Sequence, residues 1–145
     1  MKICIIIANY YPEISKNLIV GADKILKKYK VKKIKKIFVP GIFEIPVTIS
    51  KYINNYDGFI ALGCVIRGQT KHFDLISKAT INSIMRISID SKKPIGDGIL
   101  ACLNKKQASI RSNPLKKNAG GQAANAVLSV LGVFKNDSKW WISKP

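Results

Sequence analysis

Apolar positions along this chain alternate between short unbroken runs and helical spacings. Ile3 to Ala8 is a β-branched and small-residue run, the pattern of a strand covered on both faces. Ile14, Leu18, Ile19, Ala22, Ile25, Leu26 and Tyr29 then recur at helical spacing. Ile34 to Val39 predicts a second strand, stopped by Pro40-Gly41. Phe43 to Ile53 predicts a helix with Pro46 in its first turns, where a missing N–H is tolerated. Asp57-Gly58 marks a turn before a third strand, Phe59 to Ile66. Asp74 then stands in the first turn of a helix reaching about Ile89, with Leu75, Ile76, Ala79, Ile84 and Ile87 expected to face inward. Pro94 to Cys102 predicts a fourth strand interrupted by Gly96-Asp97-Gly98, and helices are predicted over Lys105 to Ser112 and roughly Gly120 to Phe134.

Alternating strands and helices with short connections predict an α/β fold, a four-stranded parallel sheet with helices on both faces. The 145 residues contain no repeat, low-complexity stretch or linker, so one domain over residues 1–145 is expected, with about 135–145 as a tail. The tail carries Trp140-Trp141-Ile142, expected to dock on its own or another subunit. With 47% hydrophobic residues there is ample material for a core. No stretch reaches the length of a membrane span. The opening apolar run is too short for a signal peptide and lacks a small-residue cleavage site. Cys4, Cys64 and Cys102 lie in or beside apolar runs without a C-x-x-C pair, which predicts buried reduced thiols in a cytoplasmic protein rather than a disulfide or metal site.

The net charge of +17 invites a nucleic-acid or acidic-membrane reading. Its composition argues otherwise. Nearly all of the positive charge is lysine, with Arg67, Arg86 and Arg111 the arginines, whereas readers of bases and phosphates favour the guanidinium fork. Excess isoleucine and asparagine accompany the lysine, as AT-biased codons would produce. The densest run, Lys27 to Lys36, falls at a helix end and turn, where positive charge suits the helix dipole. Anionic small substrates would still be drawn to such a surface.

Three loops follow the carboxyl ends of successive predicted strands, and in this architecture they converge on one crevice. Asn9-Tyr10-Tyr11-Pro12 offers aromatics that either wall a flat heterocycle or simply flank a turn. In Pro40-Gly41-Ile42-Phe43-Glu44-Ile45-Pro46, the Glu44 carboxylate either accepts from ligand hydroxyls or caps a helix. Gly63 to His72 passes from a strand into a polar loop ending on the chain's single histidine, the side chain type poised near neutral pH. Gly68 permits close backbone approach, and Gln69 and Thr70 supply donors. Arg111, on a late polar helix near Lys116 and Lys117, either grips a phosphate bidentately or is solvated.

Two segments, Pro40-Gly41-Ile42-Phe43-Glu44-Ile45-Pro46 and Leu62-Gly63-Cys64-Val65-Ile66-Arg67-Gly68-Gln69-Thr70-Lys71-His72-Phe73-Asp74, closely resemble the lumazine synthase family in order and separation. The resemblance spans Lys2 to about Leu131. It implies a flavodoxin-like three-layer sandwich and a cytoplasmic transferase of riboflavin biosynthesis. Such an enzyme joins 5-amino-6-(D-ribitylamino)uracil to 3,4-dihydroxy-2-butanone 4-phosphate, releasing phosphate, with neither metal nor organic cofactor. Position by position it assigns Tyr10, Ile42, Phe43, Glu44, Cys64, Val65 and Ile66 to the pyrimidinedione, with Glu44 toward the ribityl hydroxyls. It assigns Gln69, Thr70 and Arg111 to the phosphate and His72 to proton transfer.

The chain departs from the family at some positions. Asp97 stands where many members carry a phenylalanine that covers the pyrimidine from a neighbouring subunit, so a backbone or polar contact is expected there. Leu103 replaces a frequent glutamate before Asn104. The segment Lys116 to Gln122 lacks a lysine found in many relatives, leaving Lys117 or Lys116 as substitutes. The resemblance also implies a homopentamer. Ser112-Asn113-Pro114-Leu115-Lys116-Lys117 looks longer than the compact turn of shell formers, which favours a pentamer or decamer over a closed capsid. The competing readings are a non-catalytic shell or scaffold and a basic RNA-binding module; Glu44, Thr70, His72 and Arg111 together favour the enzyme.

Overall fold

The computed structural model describes residues 1–68 and 72–133. In chain order it contains β1 (Lys2–Ala8), α1 (Pro12–Lys28), β2 (Lys33–Val39), a 3-10 turn (Ile42–Glu44), α2 (Ile45–Tyr52), β3 (Gly58–Ile66), α3 (Phe73–Ser91), β4 (Ile95–Cys102), α4 (Lys105–Ser112) and α5 (Ala119–Val130). The strands form one parallel sheet in the order β2-β1-β3-β4. The two unbroken apolar runs, β1 and β3, take the central places and are buried on both faces. β2 and β4 are the edges and alternate in exposure. Lysines along β2 keep that edge solvated, and Lys36 pairs with Asp23 of α1 at 2.7 Å.

Successive side chains along each strand point to opposite faces, so the sheet carries two cores. Ile3, Ile5 and Ile7 with Ile60, Leu62 and Leu100 pack beneath α1 and α5 through Leu18, Ala22, Leu26, Ala124, Val127 and Leu128. On the other face Cys4, Ile6, Phe59 and Ala61 meet Ile45 and Ile49 of α2 and Ile84 of α3. The result is the predicted flavodoxin-like three-layer sandwich. Among the described residues no helix is long and apolar enough to cross a membrane.

Four details differ from the sequence expectation. The helix expected from Phe43 begins as the 3-10 turn, and α2 proper starts at Ile45 with Pro46 in its first turn. In α3 the inward stripe is Phe73, Ile76, Thr80, Ile84 and Ile87; Leu75 and Ala79 are exposed, each one residue and so about 100° from that stripe. β4 runs through Gly96-Asp97-Gly98 without interruption. Its glycines are there for close approach: a Cβ on Gly96 would strike the carbonyl of Ala123 in α5, and one on Gly98 would lie 2.5 Å from Leu62 Cδ2. α5 stops at Val130, where the N–H groups of Gly132 and Val133 turn back to the carbonyls of Ser129 and Leu128. Phe134 and the Trp140-Trp141-Ile142 tail lie outside the described residues.

Candidate active site

From β1 the chain moves outward to β2, then crosses back to lay β3 on the other side of β1. Loops leaving β1 and β3 therefore part toward opposite faces, and a crevice opens beyond the carboxyl ends of these strands. The register sharpens its shape. The ladder between β1 and β3 ends at Ile7–Leu62, whereas that between β3 and β4 continues to Ile66–Cys102, with Arg67 N–H still donating to the Cys102 carbonyl at 2.9 Å. The last residues of β3 thus overhang β1. Along Cys64–Ile66, backbone groups turned toward the β1 side have no ladder to join.

The three residues of the overhang divide between the two faces of the sheet. Cys64 and Ile66 send their side chains into the core beneath α1 and α4, while Val65 packs on the α2 and α3 face. Three alternating side chains cannot line one ligand, but their main chain can. Burial first, then the neighbouring Cys102 thiol, pushes the Cys64 thiol up to about 12, so it stays protonated and unreactive at neutral pH. Cys4 is likewise pushed up to about 12 by burial, against the lowering pull of Lys35.

The loop after β1 is fixed by a residue that periodicity alone passed over. Ser15, buried in the first turns of α1, has its hydroxyl 3.0 Å from the Ala8 carbonyl and 3.1 Å from that of Tyr11. Asn9 N–H donates to the Val39 carbonyl at 2.9 Å, joining this loop to the end of β2. Tyr10 is left exposed, its ring edge-on to Tyr11 at 4.9 Å.

In the loop after β2, Ile42 is buried and anchors the turn, while Phe43 stands 72% exposed. Glu44 Oε1 accepts the Gly41 N–H at 3.0 Å, and Thr48 Oγ1 donates to the Glu44 carbonyl at 2.8 Å. The capping role for Glu44 is therefore real, and it aims the carboxylate. Glu44 also lines a groove of about 320 Å³ with Phe43, Pro46, Val47, Ala79, Thr80 and Ser83, between α2 and α3. Capping and ligand contact are compatible, since one carboxylate has four acceptor sites.

Gly68 takes the left-handed conformation, φ +81°, with open space where a side chain would be. Gln69 and Thr70 lie outside the described residues. His72 caps α3 through its backbone, its carbonyl accepting from Ile76 N–H at 2.8 Å. Its exposed imidazole makes no capping bond to that helix.

Two assigned residues sit apart from this crevice. Arg111, in the last turn of α4, donates from Nη1 to the Ala101 carbonyl at 3.3 Å and approaches Cys102 Sγ at 3.8 Å. It lines a separate groove of about 310 Å³ flanked by α4 and α5. Asp97 lies opposite Ala61 on the outer strand, four residues and so about 13 Å below Ala101. Asp97 is on the exposed side of β4; its carboxylate accepts from Ile99 N–H at 3.0 Å, and partial desolvation raises its pKa more than that bond lowers it. One chain thus presents a crevice on β1, β2 and β3 and a basic groove on the β4 edge.

Residues 1–135 match the family model described as 6,7-dimethyl-8-ribityllumazine synthase. Proteins of that name are similar over most of their length. The one from Buchnera aphidicola subsp. Acyrthosiphon pisum (strain Tuc7) is 43% identical over 144 residues, covering 95% of this chain and 89% of the relative. Those of Bartonella bacilliformis and Novosphingobium aromaticivorans are 39% and 37% identical, covering 90% and 91% of this chain and 88% and 95% of the relatives. None of these names supports a scaffold or RNA-binding reading.

Proposed function

This chain belongs to the 6,7-dimethyl-8-ribityllumazine synthase family, transferases of riboflavin biosynthesis, and from that premise we propose how its crevice performs the reaction. The overhang of β3 beyond β1 carries the reading. A pyrimidinedione is a flat ring edged with amide-like N–H and C=O groups, and it can extend the sheet by pairing with the backbone of Cys64–Ile66. Tyr10 and Phe43, both exposed beside the crevice, supply aromatic faces for the ring. Glu44, held by Gly41 N–H and open to its groove, accepts from the ribityl hydroxyls.

The second substrate, 3,4-dihydroxy-2-butanone 4-phosphate, needs its phosphate gripped and its carbonyl set beside the ring amine. Gln69, Thr70 and the Arg111 guanidinium hold the phosphate. Asp97 takes the place of a ring-covering aromatic with a polar or backbone contact. Condensation forms a carbon–nitrogen double bond with loss of water, phosphate leaves with the carbon–oxygen bond electrons, and a second condensation closes the ring. Each step moves protons. His72 suits that role, since an imidazole can both accept and donate a proton, and this one is exposed at the start of α3 without a side-chain capping bond. Much of the acceleration comes from holding two substrates together.

Arg111 on α4 and Asp97 on the outer strand β4 do not line the Glu44 groove, which fits a site completed by a second copy of the chain. We read the enzyme as a cytoplasmic homopentamer or decamer. Exposed Phe43, Val47, Leu75, Met85 and Ile89 supply apolar surface for such contacts.

Mixing the purified protein with both substrates and following lumazine absorbance and phosphate release tests the reading. Turnover above the spontaneous rate is expected, with kcat in His72→Ala reduced about 100-fold but not abolished. No rate above background refutes the enzymatic reading, and wild-type turnover in the variant removes His72 from the mechanism.

A further inference from the structure

The overhang of β3 has a counterpart on β1 that determines where their ladder stops. Main-chain groups alternate along a strand between its two neighbours. Phe59 N–H donates to the Pro94 carbonyl at 3.0 Å and Arg67 N–H to that of Cys102 at 2.9 Å, so the odd-numbered residues of β3 face β4. Cys64 and Ile66 therefore turn their N–H and C=O groups toward the β1 side. On β1, Asn9 N–H donates to the Val39 carbonyl of β2 at 2.9 Å, so the Ala8 carbonyl, one residue earlier, faces β3. It is the acceptor for the Cys64 N–H if the ladder runs one step past Ile7–Leu62, but the ladder ends there. The Ala8 carbonyl instead takes the Ser15 hydroxyl at 3.0 Å. Ser15 is 3% exposed, and its Oγ also lies 3.1 Å from the Tyr11 carbonyl. That second carbonyl already accepts the Ser15 N–H at 3.0 Å, so the single hydroxyl proton is needed more at Ala8. With Ala8 satisfied from α1, β1 leaves the sheet without a buried orphan acceptor.

We propose that Ser15 is a positioning residue for the pyrimidinedione: its hydroxyl satisfies the Ala8 carbonyl in place of the Cys64 N–H, which stays available to the ring. The proposal rests on the reading that the ring pairs with the backbone of Cys64–Ile66. Ser15 itself touches no substrate. Without its hydroxyl the buried Ala8 carbonyl loses a partner, and the next donor in register on β3 is that same N–H. Pairing the two lengthens the ladder and takes from the site the group that the ring uses. The hydroxyl also ties the loop that carries Tyr10, so its loss acts twice on ring binding. The phosphate-bearing substrate, assigned to Gln69, Thr70 and Arg111, makes no use of this junction.

Steady-state kinetics with each substrate varied in turn, and amide hydrogen exchange resolved along β3, test this on the full-length enzyme. Ser15→Ala is expected to raise the KM for the pyrimidinedione about tenfold, the loss of one well-placed hydrogen bond, while the KM for the butanone phosphate stays within about twofold. Without substrate, the Cys64 amide of this variant should exchange more slowly than in wild type, having gained the Ala8 carbonyl. Ser15→Thr keeps a hydroxyl and should recover most of the loss. Ser88→Ala removes a hydroxyl bound to the Lys93 carbonyl at 2.7 Å, before the amino end of β4, and should match wild type. An unchanged pyrimidinedione KM in Ser15→Ala overturns the role of Ser15. So does a raised KM without slower Cys64 exchange, or a loss shared equally by both substrates, which reduces Ser15 to a general stabilising contact. If saturating pyrimidinedione leaves Cys64 and Ile66 exchange in the wild type unchanged, the backbone-pairing reading itself fails.

Discussion

Gly63→Ala probes how tightly the active crevice is built. Gly63 lies in β3 just before the overhang, at an ordinary extended conformation that alanine can adopt. An added Cβ would stand 2.9 Å from Ala8 Cβ and 2.9 Å from Ile42 Cγ2, both buried and both leading into loops of the proposed site. Carbon–carbon contacts settle at about 3.5 Å or more, so each neighbour must retreat by about 0.6 Å. Overpacking of this kind costs about 1–3 kcal/mol. Removing a strand glycine returns about 0.5–1 kcal/mol of backbone entropy. The net is a loss of up to about 2.5 kcal/mol, seen at this chain length as a fall of up to about 10 °C in Tm.

The same displacement reaches function, because Ala8 precedes Tyr10 and Ile42 precedes Phe43 and Glu44. A misplacement of about 1 Å costs about 100-fold in rate, so a shift of about 0.6 Å predicts roughly tenfold lower kcat/KM for the pyrimidinedione. Thermal melts and steady-state kinetics on the same preparation give both numbers. Combining Gly63→Ala with Ala8→Gly should recover more than additivity allows, since the second change vacates the contested space. A Gly63→Ala enzyme as stable as wild type or more so, with unchanged kcat/KM, refutes the packing argument.

Asp97→Asn tests the cost of a carboxylate desolvated at the sheet edge. The folded pKa lies above the ordinary 3.8, so folding disfavours the ionised form and the penalty is present above the folded value, fading as pH falls through it toward 3.8. The variant should melt higher than wild type at pH 7 and equal to it near pH 3; an equal gain at both pH values discards the ionisation argument. Assembly is the other open prediction: sedimentation at physiological pH should give a pentamer or decamer, and particles of shell size refute the reading of the Ser112–Lys117 turn.

Much of the fold was legible because β1 and β3 announce themselves. Unbroken runs such as Ile3 to Ala8 are stable only with both faces covered, which forces them to the centre of a parallel sheet between two helical layers. The candidate site motifs stood out for a related reason: Gly41 to Glu44 and Gly63 to His72 follow strand ends, where this topology gathers ligands. Less legible was anything depending on neighbours distant in sequence. Gly96 and Gly98 looked like strand breakers because glycine's local preference is all a sequence displays, whereas the backbone of α5 pressing on β4 is what demands them. Leu75 looked buried because helical spacing fixes relative angle but not which face meets the sheet.

By itself, then, the sequence determined the element order, the layered class and the residue types that gather at the strand ends, since those follow from period, burial demand and local turn chemistry. The tertiary structure alone decided that β3 overshoots β1, leaving backbone of Cys64–Ile66 without a β1 partner while their side chains alternate between the two cores. It alone tied the β1 loop through the Ser15 hydroxyl and gathered residues of β4, α4 and α5, Arg111 among them, around one groove. Register, groove lining and close approach are properties of pairs far apart in the chain, and only packing chooses the pairs.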